Sequence, residues 1–399
     1  MPAPLSSLKI LDFSTLLPGP FASKTLADLG AEVLRVETSS RPDITRSLPA
    51  NVKGGLNAHA SLNRSKHSIG LNLKHPEAVK IVNQLIKKYD IVLEQFRPGV
   101  MKRLGLDYQQ LCKQNPSLIF CSLTGYGQTG VYKYRAGHDL NYLAISGVSN
   151  YSRRKNELPV PLGIQVADVA GGSYHVVMGI LSAVIHRQLT GEGQAIDISM
   201  ADTMFSMNVF EGANWLAGGY GADPESTFLN GGTLYDYYQT KDGRIVSVSS
   251  LEPHFFAALI NAMELPETLL EISLSDQKSQ KRLKKILKKR FLDRTWSEWE
   301  AAFVDCDACV ELVLEFSEAM ELQQFKDREM FVDVPDSSGS TQRQIASPFK
   351  FSSCKPEYRH VGVELGEQTE MVLKELGYSL KQINELTKTG VCEVNKASL

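Results

Sequence analysis

The sequence predicts an α/β protein with a large doubly wound domain on a parallel sheet and a smaller α+β domain. Three observations predict it. Strand-like and helix-like runs alternate through the first 200 residues, the pattern of βαβ units. Turn-forming residues crowd together from about Gly219 and mark a boundary. Beyond it a hairpin signal is followed by helical runs instead of further alternation. A chain of 399 residues is long enough for two domains.

In order, "LKILDFS" reads as a buried strand, "GPFASKTLADLG" as a helix stopped at Gly30, and "AEVLRVE" as the next strand. That is one βαβ unit, which implies a right-handed crossover. "HPEAVKIVNQLIKKY" carries apolar residues at helical spacing after Pro76, and "DIVLEQF" and "PSLIFCSLTG" are strands. "DVAGGSYHVVMGILSAVIHRQ" is a long buried helix, and "GQAIDISM" is a strand leading into "ADTMFSMNVFEGANWLAGG". Residues 1–200 are therefore expected to form a Rossmann-like domain. Its first strand-to-helix turn, "STLLPGPFAS", lacks G-x-G-x-x-G, so a dinucleotide site is unsupported. Pro18, Gly19 and Pro20 still open a helix, and a helix N-terminus attracts anions.

Residues 201–234, with "GGYGADPESTFLNGG", are expected to be a linker. "GGTLYDYYQTKDGRIVSVSS" then reads as a hairpin turning at Asp242–Gly243, the start of a small domain over 235–325. "SQKRLKKILKKRF" is strongly basic but has one apolar stripe, Leu283, Ile286 and Leu287, as expected of a solvated amphipathic helix. A second linker is expected at 326–347, with "VPDSSGSTQRQIASPFKFSS" irregular. Residues 348–399 are expected to return to the large domain, with a helix near "GEQTEMVLKELG".

The net charge is −2 and 43% of residues are hydrophobic, so no nucleic-acid or membrane partner is expected. "MPAPLSSLKILDF" lacks the basic start and long apolar core of a signal peptide. The run "YHVVMGILSAVIH" is shorter than the about 20 residues a bilayer requires. Six scattered cysteines suit reduced thiols in a cytoplasmic setting. "CDAC" has no second pair to complete a zinc site, and no metal is expected. The terminal "KASL" is a weak peroxisomal address, because Ser398 stands where the signal has a basic residue.

Three ionisable residues have an unusual setting. His138 follows Gly137 and precedes an apolar run; Asp168 sits where a strand-like stretch enters a glycine-containing helix; Glu252 immediately precedes a helix-opening Pro253. Taken singly, each also fits a structural role. Asp168 suits an N-cap, Glu252 a helix-start acid and His138 a satisfied core histidine.

Ten motifs run in order across most of the chain, among them "LLPGPFASKTLADLGAEVLRVE", "QFRPGVMKRLGL", "AGHDLNY", "VADVAGGS" and "SLEPHFF". On these the chain resembles the family III coenzyme A transferases. "GHDLNY" together with "LEP" favours their racemase branch, the enzymes acting on α-methylacyl thioesters. The resemblance implies that His138 and Asp168 are two acid–base groups and that Glu252 assists the histidine. Inverting a 2-methylacyl thioester means taking a weakly acidic α-proton from one face and returning one on the other. A histidine and an aspartate can exchange these roles when a desolvated site draws their pKa values together. Backbone N–H groups at the start of the helix after Asp168 are expected to hold the enolate, with Gly171 and Gly172 letting the thioester approach.

The resemblance also implies a coenzyme A thioester as substrate, no prosthetic group, and an interlocked homodimer. The matching coenzyme A positions are Leu16, Leu17, Leu71, Asn72, Leu73, Lys74, Arg97, Arg103, Gly137, Asp139, Leu140, Asn141 and Tyr142. Two places depart from the relatives. Thr38 stands where they carry an arginine, for which Arg41 is the nearest substitute, and Asn230 stands where they carry aspartate. Two rival readings remain. A transferase of the same family would use Asp168 as a nucleophile. A non-catalytic acyl-CoA binding protein would need none of the three ionisable groups.

Overall fold

A computed structural model describes residues 2–47 and 58–395; the terminal KASL lies outside them. Its strands are β1 (Lys9–Asp12), β2 (Glu32–Glu37), β3 (Lys66–Leu71), β4 (Ile91–Glu94), β5 (Ile119–Thr124), β6 (Ala195–Ser199), β7 (Asp236–Gln239), β8 (Ile245–Val248), β9 (Val310–Leu312), β10 (Phe331–Pro335), β11 (Thr341–Ile345) and β12 (Cys392–Glu393). Seven of them form one sheet in the order β12-β3-β2-β1-β4-β5-β6. β1 to β6 run parallel, and β12 closes the β3 edge antiparallel. β4 and β5 are buried along their whole length. That is why "IVLE" and "IFCSLT" are dominated by apolar residues without strict alternation: a parallel sheet is covered on both faces. The strand order reverses between β1 and β4, and an open parallel sheet forms its ligand crevice at that point, beyond the carboxyl ends of the strands.

Helix α1 (Pro18–Asp28) and the helix Pro76–Leu85 cover the sheet. The second buries Ala78, Ile81, Val82 and Leu85, spaced for one helical face. Each fully buried Leu or Ile contributes about 1.5–3 kcal/mol relative to exposure. A helical segment of 24 residues spans Ala167–Thr190, longer than the apolar run suggested and long and apolar enough to cross a bilayer. In the fold its Val176, Ile180 and Ala183 are buried where it packs on α1 and β5, while Met178, Ile185 and Leu189 are exposed, so the expected long buried helix is only partly buried.

Charged side chains are also buried beside the first strand-to-helix turn. Arg35 of β2 is 1% exposed and donates to Asp43 at 2.9 Å, with Glu37 at 3.3 Å. Asp12 accepts from the Ser14 amide and the Ser23 hydroxyl. Asp43 accepts the amide of Leu16, whose φ of 64° is left-handed. Such a conformation is costly for a non-glycine residue and is held here by the charge network.

The chain divides into two compact units: residues 1–143, 162–206 and 326–399, and residues 144–161 and 207–325. The second unit has an antiparallel β7-β8-β9 sheet over a core that includes Trp299, Phe291, Leu283 and Leu287. The β7–β8 turn uses Gly243 at φ 82°.

Three boundaries differ from those expected. Residues 144–161 belong to the second unit. The linker 201–234 contains the helix Val209–Leu216, whose apolar Val209, Phe210, Trp215 and Leu216 are all exposed in the single chain. The linker 326–347 contains the hairpin β10–β11, turned by Asp336 accepting the Ser338 and Ser340 amides. Among its strand residues only Val334 and Gln344 are buried, which leaves almost no alternation to read.

Candidate active site

A cavity of about 480 Å³ lies in the first unit at the point where the strand order reverses. Its wall comes from the turn after β1 (Leu16, Leu17, Pro18), the loop after β4 (Gln95 to Pro98), the end of β5 and the loop after it (Leu123 to Tyr126), and the segment Lys133 to His138 with Tyr142 and Asp168. The Gly19 amide donates to Gln95 Oε1 at 3.0 Å and ties the start of α1 to the β4 loop. Glu94 accepts the Phe96 amide at 2.8 Å; burial pushes its carboxyl up to about 7.

Gly137 is pressed between two rings. A Cβ there would lie 2.7 Å from the Tyr126 hydroxyl and 2.8 Å from the Tyr142 ring. Tyr142 donates to the Gly137 carbonyl at 2.6 Å. The His138 amide donates to Asn141 Oδ1 at 3.0 Å, which starts the helix Asp139–Ile145. The imidazole itself is exposed toward the cavity, so His138 is not a core histidine.

Asp168 lies inside a π-helical turn, Ala167–Ser173, instead of capping a helix. Such turns occur often at functional sites. No donor among the described residues bonds to its carboxyl; the recorded bonds of Asp168 involve only its amide and carbonyl. Burial pushes it up to about 6, Asp139 adds to the rise and His138 opposes it.

Of the expected positions, Leu16, Leu17, Arg97, Gly137, His138, Tyr142 and Asp168 meet at this one cavity. Others do not line it. Leu71 is fully buried and Leu73 packs on the core behind the sheet. Asn72 donates to the Gly390 carbonyl and accepts the Lys74 amide. Lys74 and Arg103 are exposed elsewhere, Leu140 is exposed, Asn141 is spent on His138, and Asp139 is spent on two amides. Residues 72–74 nevertheless follow β3, so they share the carboxyl edge of the sheet with the cavity.

Glu252 stands at the N-cap of the helix Pro253–Ala262 in the second unit, and its side chain caps nothing. Gly171 and Gly172 are buried, and Cβ atoms on them would meet Thr203, Met200 and Pro18. Their role is close packing of helices, which replaces the expected approach of a thioester. The Ala167 and Asp168 amides are both taken by Asp139, and the Val169 amide, the first after Asp168, is taken by the Gln165 carbonyl.

Lys133 and Arg135 were not singled out in the sequence, yet with Arg41 and Arg97 they surround the cavity with four cations. They sit in an irregular loop, where no periodicity marks them. Asn230, the departure from aspartate, accepts the Ser226 and Thr227 amides and donates to the Tyr151 and Asp223 carbonyls. Aspartate could not make the two donations. At Thr38, Glu393 accepts from the Ser39 amide and hydroxyl and from Thr38.

Residues 5–369 match the model of CoA-transferase family III. The chain belongs to CoA-transferase family III. It is 34% identical to alpha-methylacyl-CoA racemase from Homo sapiens, over 98% of both chains. It is 33% identical to succinyl-CoA:glutarate CoA-transferase from Homo sapiens, over 98% of this chain and 90% of that protein. A crystal structure of a CAIB/BAIF family protein from Brucella suis superposes with a TM-score of 0.81 at 26% identity, covering 94% of this family III chain and all of that one.

Proposed function

We propose that the protein inverts the α-carbon of 2-methylacyl-CoA thioesters by two-base proton transfer through an enolate. The observation that carries this is the placing of His138 and Asp168 on one cavity, with Asp168 pushed up to about 6. One group takes the α-proton as the other returns a proton to the opposite face, so the reaction is redox-neutral. A carboxyl raised to about 6 holds and releases a proton near neutral pH, as a group that alternates between acid and base must. The four cations around the cavity suit the phosphates of coenzyme A. A ligand that long is served by the carboxyl edge of the sheet, where the 72–74 segment also lies. The family resemblance gives Glu252 a part in the reaction, which Glu252→Gln tests by its effect on kcat.

One observation favours a second reading. The Asp168 carboxyl is free of donors, which also suits a nucleophile that forms a mixed anhydride and then an enzyme–CoA thioester. The readings separate on His138 and on acceptor. A racemase needs His138 and no second substrate, whereas a transferase needs a free carboxylic acid and tolerates His138→Ala.

A homodimer completes the proposal. Leu158, Leu189, Phe210, Leu216 and Tyr220 are each at least 75% exposed in the single chain, apolar surface that a second copy would cover. An interface above about 1,600 Å² is expected. A monomer in light scattering at micromolar concentration contradicts it.

A further inference from the structure

Asp139 follows His138 directly but does not face the cavity. One of its carboxylate oxygens, Oδ1, accepts the Ala167 amide at 2.6 Å and the Asp168 amide at 3.1 Å. These bonds join segments 28 and 29 residues apart in the chain. We propose that Asp139 is a positioning residue: its carboxylate locks the His138 segment to the Asp168 turn and places a fixed negative charge beside the Asp168 carboxyl. The inference rests on the two-base reading above for its catalytic meaning.

The physical case has three parts. First, charge-assisted bonds to two successive amides are short and directional, so the main chain at Asp168 is fixed relative to the residue after His138. A displacement of about 1 Å in such a site costs on the order of 100-fold in rate. Second, the carboxylate is an unsuitable ligand contact. The cavity gathers cations, and an anion turned into it would repel the phosphates it is built to hold. Turned away and bonded to main chain, Asp139 acts through Asp168. Third, a like charge beside a carboxyl disfavours its ionised form. Burial is the larger cause of the Asp168 rise and Asp139 the next.

Among the described residues, Asp139 and His138 act on the Asp168 charge, Tyr142 lies beside it, and Arg41, Arg97, Lys133 and Arg135 line the same cavity. From α1 and the helix Met200–Ser206, Pro18, Met200, Thr203 and Met204 pack against Gly171 and Gly172 of the turn, and none of these four is charged. Asp139 is therefore the neighbouring anion that brings the Asp168 carboxyl toward the range of an imidazole.

Asp139→Asn and Asp139→Ala separate geometry from charge. The Asn side chain keeps an oxygen for both amides and loses the charge; Ala loses both. The first measurement is a carbon NMR titration of carboxyl-labelled aspartate in the full chain without substrate, with the Asp168 signal assigned by its loss in Asp168→Asn. The midpoint of Asp168 is expected to fall by about 0.5–1 unit in Asp139→Asn. The second is the pH profile of kcat for α-hydrogen exchange. Asp139→Asn should retain most of the rate with its acidic limb moved down by the same shift. Asp139→Ala should lose on the order of 100-fold in kcat with KM little changed. An unchanged Asp168 midpoint in Asp139→Asn overturns the inference, as does wild-type kcat in Asp139→Ala. The titration needs no turnover. Wild-type protein that exchanges no α-hydrogen would therefore defeat the two-base reading and leave the Asp139 test standing.

Discussion

Glu37 and Asp168 are carboxylates of the same unit, and burial acts on both in the same direction. They end far apart. Burial would raise Glu37, but Arg35, Arg46 and the Ser68 hydroxyl hold it down to about 2. Asp168 has no donor on its carboxyl and an anion beside it, and it rises to about 6. The difference shows how the fold divides its acids. An acid surrounded by donors is permanently ionised and can only hold structure. An acid that is buried without donors sits near neutrality and can move a proton. The signs for stability are opposite. Glu37 is depressed, so its stabilisation is present above the ordinary pKa near 4.3 and is lost as pH falls toward 2. Asp168 is raised, so the fold favours its neutral form, and stability is lost as pH rises from near 3.9 through about 6.

The contrast can be broken or sharpened by substitution. Asp168→Ala and His138→Ala should each lower α-hydrogen exchange by about 10²–10⁴-fold, the usual weight of a positioned proton-transfer group. Neither should cost stability, and Asp168→Asn should raise the melting temperature at pH 8. A large loss of stability on Asp168→Asn would place that residue with Glu37. Arg35→Met should do the reverse. It leaves Asp43 buried without its cation and Glu37 with Arg46 alone, and should cost about 3–5 kcal/mol in denaturant titration, because a broken buried pair strands its partner. Arg97→Ala, at the cavity wall, should weaken coenzyme A by about 1.5–3 kcal/mol in calorimetry, and the wild-type affinity should fall with salt. A further test concerns Glu94. Its carboxyl is pushed up to about 7, so it costs stability as pH rises between about 4.3 and 7; Glu94→Gln should remove that loss and flatten the melting temperature over this window.

Much of this was legible in the sequence, and for identifiable reasons. β1, α1, β2, β4 and β5 announce themselves because buried parallel strands are apolar runs and α1 starts at prolines and stops at glycine; β6, at the sheet edge, alternates instead. β12 has two residues, too few for any pattern. The β10–β11 hairpin escaped because its buried face holds one apolar residue, and the helix Val209–Leu216 was read as linker because of the turn formers that follow it from Gly219. At the site, His138 and Asp168 were found through motifs, and Gly137 through its place before the histidine. Lys133 and Arg135 were missed because a loop cation carries no mark of where it points. Asp139 was read as a ligand position; its two amide partners lie in a turn whose approach only the folded backbone reveals.

The central claim is that Asp168 moves a proton together with His138. It is tested most directly by incubating a single epimer of a 2-methylacyl-CoA with the protein in deuterated water, with no carboxylic acid added. The account predicts that deuterium enters the α-carbon while the configuration scrambles, starting from either epimer. A covalent adduct at Asp168, trapped by hydroxylamine or borohydride, with no deuterium at the α-carbon, would contradict it and make Asp168 the nucleophile of a transferase.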